Sequence, residues 1–341
     1  MKKNLLVLVL CFSLLLSGCG ASASKPTQYQ ASFLTLFDTV TYISGLADSE
    51  EAFTQQAQAI HDELLVYHQL FDIYKEYDGL NNLKTVNDNA GIAPVEVDRK
   101  IIDLLLDCRE YYSLTGGRVN VAMGSVLALW HESRDAGLDD PAHAALPDAG
   151  ALAEAARHTA WDTILIDEAA STVYISDPEQ RLDVGAVAKG WSVQRVAESA
   201  PAGLLLSVGG NVCATGPKDE NGTPWVVGIN DPDGGDAYLH TLYLTQGAAV
   251  TSGDYQRYYV VDGQIYHHII DPDTLYPSTC WRSVTILCED SGLADALSTA
   301  LFLLDREAGQ ALLDQCGAEA MWVDGEGNFF YSPGFQDYVR T

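Results

Sequence analysis

Apolar residues spaced three and four apart predict helices over Glu51 to Leu70 and Asp98 to Ser113, the second stopped by Thr115-Gly116-Gly117. The polar, broken stretch from Arg134 to Pro147 predicts a surface loop, followed by a helix over Asp148 to Arg157. Beyond it, short alternating runs predominate. They predict strands at Trp161 to Ile166, Thr172 to Ile175, Leu204 to Val208, Trp225 to Ile229 and Ser283 to Cys288. Two hairpins have explicit turns. Tyr258 to Val261 meets Gln264 to Ile270 across Asp262-Gly263, and Met321 to Val323 meets Phe329 to Tyr331 across Asp324-Gly-Glu-Gly. Helices over Ser291 to Leu304 and Arg306 to Gln315 complete the pattern. Helices and strands are intermixed with no regular βαβ alternation. The expected class is therefore α+β, with mostly antiparallel or mixed sheets and packed helices in two lobes joined near the long loop.

The N-terminus is of a different kind. Lys2-Lys3, an apolar run from Leu5 to Leu16, and Leu16-Ser17-Gly18-Cys19 form an export signal, with an apolar core too short to favour a membrane span. The ending is similar to the lipobox of bacterial lipoproteins, so residues 1–18 are read as a signal peptide and Cys19 as the lipidated first residue. Residues 19–30 are then a polar tether and residues 31–341 the folded domain. Net charge is −28, with 47 acidic residues against 19 basic ones, which excludes nucleic acid as a partner. An anionic small ligand would be repelled by that field unless a local cation or a cluster of amides held it, a first reason to look for a metal. Past Cys11 and Cys19, the cysteines at 108, 213, 280, 288 and 316 contain no Cys-x-x-Cys pair. They define neither a zinc site nor a disulfide framework, although an exported location permits one or two bridges.

Four stretches carry polar residues that packing alone does not require. Leu182-Asp-Val-Gly-Ala-Val-Ala-Lys-Gly190 places small residues, an acid and a lysine where a helix begins; it suits a phosphate cradle or a glycine-rich turn with a surface lysine. Leu206-Ser-Val-Gly-Gly-Asn211 ends a strand in two glycines, for close approach to a ligand or for a turn. Thr251-Ser-Gly-Asp-Tyr-Gln-Arg257 precedes Tyr266-His-His-Ile-Ile-Asp-Pro272, where His268 and Asp271 could be a base and its orienting partner, or His268 a structural histidine. Finally, Asp295 and Thr299 stand four apart on an otherwise apolar helix, which puts a carboxylate and a hydroxyl on one face. The plainer reading is a helix with an incidental acid near its start.

These stretches, in this order, resemble the ApbE-type FAD:protein FMN transferases. The likeness runs from Phe37-Asp-Thr39 through Gly116-Gly-Arg-Val-Asn120, Leu129-Trp130, "LDVGAVAKG", "SVGGN", Pro224-Trp225, "TSGDYQR", "HIIDP" and "ADALSTAL", and covers nearly all of the mature chain. The resemblance implies transfer of FMN from FAD to a Thr or Ser hydroxyl of another exported protein, with release of AMP and dependence on magnesium. It further implies Mg2+ on the Asp295 and Thr299 side chains and the Ala186 carbonyl, and FAD lined by Phe37, Tyr74, Arg118, Val119, Asn120, Asp183, Lys189 and Ile270. Lys189 would stabilise phosphoryl charge, and His268 would take the proton of the incoming hydroxyl. The acceptor would be another protein, such as a subunit of an ion-pumping or electron-transfer complex, because this chain has no Asp-x-x-[Ser/Thr]-Gly-Ala-[Ser/Thr] segment of its own. The enzyme would sit on the extracytoplasmic face of the cell membrane, held by its lipid. The chain departs from the common pattern at Val119-Asn120, where many members have Phe-Asp, and at Thr274-Leu275 and Gln194. Two other functions use the same residues: an FAD pyrophosphatase, in which water replaces the protein hydroxyl, and a flavin-binding lipoprotein without turnover.

Overall fold

The computed structural model describes residues 26–235 and 237–341. The expected signal peptide, residues 1–18, and the expected lipidation site Cys19 lie outside these residues. An eight-stranded antiparallel sheet runs through the molecule, and its spatial order is its chain order. The strands are Thr27–Leu36, Thr39–Ala47, Leu204–Val208, Asn211–Ala214, Gly247–Gly253, Ser283–Cys288, Glu319–Val323 and Phe329–Tyr331. Helices and smaller ribbons are inserted between strands that are neighbours in the sheet.

Both faces of the sheet are covered, so its central strands alternate between two apolar environments rather than between oil and water. Along Gly247–Gly253, Ala248 and Val250 enter the main core while Ala249 faces the other side, and Leu287 and Met321 also face that other side. The main core is closed by the helices Glu50–Phe71, Arg99–Leu114, Ala188–Ser199 and Ser291–Phe302. The opposite face is covered by the ribbon Trp225–Asn230 with Tyr238–Leu244. A third, smaller core joins the helix Gly124–Asp139 to the hairpin Tyr258–Val261/Gln264–His267, through Trp130, Tyr259 and Ile270.

The class and most elements agree with the sequence, and four boundaries differ. The first sheet strand begins at Thr27, so the last residues expected in the tether pair with Ala47 through Ser44. The helix Gly124–Asp139 occupies the first half of the expected loop, because Gly137 lets Tyr259 and Ala144 pack closely against it. Trp161–Thr163 is a 3₁₀ turn leading into the strand Ile164–Asp167. The strand leading toward Ile270 ends at His267. Among the described residues the five cysteines past the N-terminus are unbridged, and no helix is long and apolar enough to cross a membrane.

Candidate functional site

The helix Ser291–Phe302 is buried on nearly every side, between the sheet and the helix Ala188–Ser199. Asp290 caps it by accepting from the Leu293 amide at 2.8 Å. Within this apolar setting Asp295 is only 4% exposed, and its Oδ2 accepts from the Gly190 amide at 2.8 Å. Glycine is required at 190: a Cβ there would lie 2.4 Å from both the Asp295 Cβ and the Ser291 carbonyl oxygen. Burial pushes the Asp295 carboxyl up, against the opposing pull of Lys189, the Gly190 amide and Asn211.

That hydrogen bond has a second consequence. In a regular helical turn the amide of residue 190 would bond the carbonyl of residue 186, but here it is committed to Asp295. The Ala186 carbonyl accepts no hydrogen bond among the described residues, and the helix Ala188–Ser199 starts at Val187 with no side-chain cap. Asn211, 1% exposed, also has a buried Oδ1 without a partner, 3.1 Å from where a Gly190 Cβ would stand. Thr299 follows Asp295 by one helical turn and is partly exposed, with no protein partner for its hydroxyl among the described residues. A buried carboxylate, an unbonded carbonyl, a hydroxyl and an orphaned amide oxygen are all hard oxygen donors, the chemistry that suits magnesium. Among the described residues no three His, Cys, Asp or Glu side chains gather as a softer metal would require.

Lys189 connects the two halves of the site. Its Nζ is 3.3 Å from the Gly185 carbonyl, it has no acidic partner among the described residues, and its charge acts on both Asp295 and His268. His268 is partly buried just past the hairpin. Its Nδ1 lies 3.2 Å from the Arg257 carbonyl, which also accepts the His268 amide at 3.1 Å. A carbonyl only accepts, so Nδ1 carries the proton and Nε2 presents a lone pair. Burial first, then the Lys189 and Arg257 cations, pushes the imidazole pKa down to about 3. The expected orienting partner is corrected: Asp271 binds Arg118 at 3.2 Å, not His268, and the Arg257 carbonyl orients the ring.

The remaining expected flavin residues fall into two groups. Asp183 is buried and accepts from the Gly185 amide at 2.8 Å, holding the turn that leads to Ala186. Phe37 sits at the hairpin tip Leu36–Thr39, where Phe37 and Asp38 both have positive φ, and its amide donates to His68 Nδ1 at 3.2 Å. Tyr74 is 60% exposed, with its ring 6.2 Å from the His131 ring. Ile270 and Val119 belong instead to the packed interior, Val119 being 1% exposed, so their side chains support the surrounding backbone. Asn120 is committed within the fold, donating to the Thr159 carbonyl and accepting from the Ala122 amide, both at 3.0 Å. Arg118 is held by Asp271 and Asp273, which ties its loop to the segment after His268.

Sequence reasoning missed two residues. Asn211 ends the Leu206–Asn211 stretch, where the sequence marks the glycines but not the buried amide oxygen. His131 lies in no motif, yet Tyr74 Oη is 2.9 Å from its Nδ1 across 57 positions of sequence. No local pattern signals such a pair.

The ApbE family model matches residues 33–322. An FAD:protein FMN transferase of Treponema pallidum is 35% identical over 278 residues, covering 76% of this chain and 75% of that protein. One from Klebsiella pneumoniae is 30% identical over 268 residues, covering 75% and 80%. Among solved structures, the ApbE protein of Thermotoga maritima superposes with a TM-score of 0.80 at 30% identity, over 92% of this chain and all of that one. The flavin transferase ApbE of Vibrio cholerae, at 23% identity and a TM-score of 0.74, shares the fold over 92% of this chain and 99% of its own. With its family match running from the first sheet strand to the seventh, and its motifs gathered around Asp295, Lys189 and His268, this chain belongs to the ApbE family.

Proposed function

We propose that the protein is an FAD:protein FMN transferase that joins the FMN half of FAD to a Thr or Ser hydroxyl of another exported protein and releases AMP. The observation that carries this reading is the buried Asp295 carboxylate, which takes the Gly190 amide and leaves the Ala186 carbonyl unbonded, with the Lys189 charge acting on both Asp295 and the neutral imidazole of His268. Storage of a flavin would need neither a buried acid nor a base.

Asp295, Thr299 and the Ala186 carbonyl would hold magnesium, which when bound neutralises charge on pyrophosphate oxygens. Lys189 places its ammonium where phosphoryl charge develops. His268 Nε2 accepts the proton of the acceptor hydroxyl as its oxygen bonds to the FMN-side phosphorus. The bond from that phosphorus to the bridging oxygen breaks, and the electron pair leaves with AMP. Burial is the larger cause of the lowered imidazole pKa; a bound pyrophosphate would offset only the smaller part that the Lys189 and Arg257 cations contribute. Supported by the Leu-Ser-Gly-Cys ending, we place the enzyme on the extracytoplasmic face, anchored by lipid at Cys19.

The test is mature protein with FAD, magnesium and a panel of exported proteins that carry the acceptor pattern, followed by mass spectrometry. The expected product is an acceptor heavier by FMN less water, with one AMP per modification. His268→Ala should slow transfer by roughly 10²- to 10⁴-fold with FAD affinity nearly unchanged. Release of AMP and free FMN with every acceptor unmodified would replace this reading with a pyrophosphatase.

A further inference from the structure

The contact between Tyr74 and His131 lies outside every motif that carries the family likeness, and it has the form of a latch. Tyr74 stands on a short segment after the helix Glu50–Phe71, and this segment is pinned at its base. Asp72 Oδ1 accepts the amides of Tyr74 at 2.7 Å and Lys75 at 3.0 Å, while Asp72 Oδ2 accepts the Tyr77 hydroxyl at 2.8 Å. At the far end the Tyr74 hydroxyl shares a 2.9 Å hydrogen bond with His131 Nδ1. His131 stands on the helix Gly124–Asp139, whose one face presents Leu127, His131 and Arg134 to a recess shared with Tyr266 and His268. The same His131 Nδ1 is 4.0 Å from Asp183 Oδ2, so the bond holds Tyr74 beside the acid that shapes the turn before Lys189.

An aromatic ring that is 60% exposed yet fixed at its hydroxyl is an unusual arrangement for a surface tyrosine. Free in solution, the side chain would sample several rotamers, and a ligand that stacks on it would bear the cost of selecting one. The bond to His131 makes that selection before a ligand arrives. We infer that His131 is a positioning residue of the FAD site, which fixes the Tyr74 ring by its hydroxyl as a ready-made platform for a planar ring of the dinucleotide. The inference rests on the proposed use of FAD.

The test is a double-mutant cycle on FAD affinity, measured by flavin fluorescence with magnesium present. Tyr74→Phe keeps the ring and removes the hydroxyl, and His131→Ala removes its partner. Each should weaken FAD binding by roughly three- to tenfold, the scale of one neutral hydrogen bond. The double variant should be no weaker than the worse single one, because both lose the same bond. His131→Asn returns a polar group near the Nδ1 position and should recover most of the affinity without restoring the imidazole. A merely structural role for His131 would lower thermal stability and leave Tyr74→Phe without effect on FAD. FAD affinity unchanged by Tyr74→Phe or by His131→Ala, or two single losses that add in the double variant, overturns the inference. Failure of the unaltered protein to bind FAD at all would instead sink the functional reading on which it stands.

Discussion

At the level of single residues, Asp295 and His268 are perturbed in opposite senses, and this determines their behaviour with pH. Burial raises the Asp295 carboxyl, so protonation competes with a cation under milder acid than for an ordinary aspartate. His268 is held down at about 3, so in the free enzyme it stays neutral across the whole working range and its lone pair is never lost near pH 6.5. The acid limb of kcat/KM is therefore expected to belong to Asp295 and to move to lower pH as magnesium is raised. A limb fixed near 6.5 at all magnesium concentrations would assign it to the imidazole and contradict this account. Asp295→Asn keeps the shape and can still accept from Gly190, but lacks the charge. Activity should fall at least about 10²-fold and recover in part at high magnesium, with Thr299→Val milder. Unchanged activity and magnesium dependence in Asp295→Asn would remove the metal from the mechanism.

At the level of elements, the site depends on tight turns that bring separate strands together. Gly209, in the turn between Leu204–Val208 and Asn211–Ala214, has φ +52°, and a Cβ there would lie 2.6 Å from Thr39 Oγ1 and 2.9 Å from Thr39 Cβ. That contact seats the Phe37-Asp38 hairpin tip on the neighbouring turn. Gly209→Ala combines a left-handed backbone with a clash, so it should cost about 1–3 kcal/mol in a urea titration and weaken FAD binding through the displaced tip. A stability equal to that of the unaltered protein would show that the tip is not seated there. These elements also mark what was legible in sequence. Ser291–Phe302 and Ala188–Ser199 were readable because Asp295 and Lys189 interrupt otherwise small or apolar runs. The first strand was not readable: it is a sheet edge with exposed Thr27, Gln28 and Gln30, and a register shift between Phe33 and Leu36 breaks its alternation. The end of Gly124–Asp139 was hidden for a related reason, since a helix with mostly polar outer positions reads as loop until its buried Gly137 contact is known. His131 was invisible because its partner is distant in sequence, and only the fold brings the two together.

For the whole molecule, the controlling quantity is charge. A chain of net charge −28 is asked to bind a ligand with an anionic pyrophosphate, and its long-range field opposes the approach. Lys189 and the start of the Ala188–Ser199 helix act locally, and the proposed magnesium on Asp295 would add positive charge where the phosphates would lie. Magnesium and FAD should therefore stabilise the fold cooperatively, each raising the affinity for the other by the same factor. In thermal melts, FAD should raise Tm more with saturating magnesium than without it. The excess should vanish in Asp295→Asn and survive in His268→Ala, because only the first removes the link between the two ligands. Salt separates this local effect from the general field. Without magnesium, FAD affinity should improve as ionic strength rises toward about 0.15 M, where screening shortens to about 8 Å and the repulsion from distant carboxylates fades. With magnesium bound, the local attraction offsets that field and the improvement should shrink or reverse. Equal salt dependence with and without magnesium, or an undiminished excess in Asp295→Asn, would mean that the ion binds elsewhere on the acidic surface.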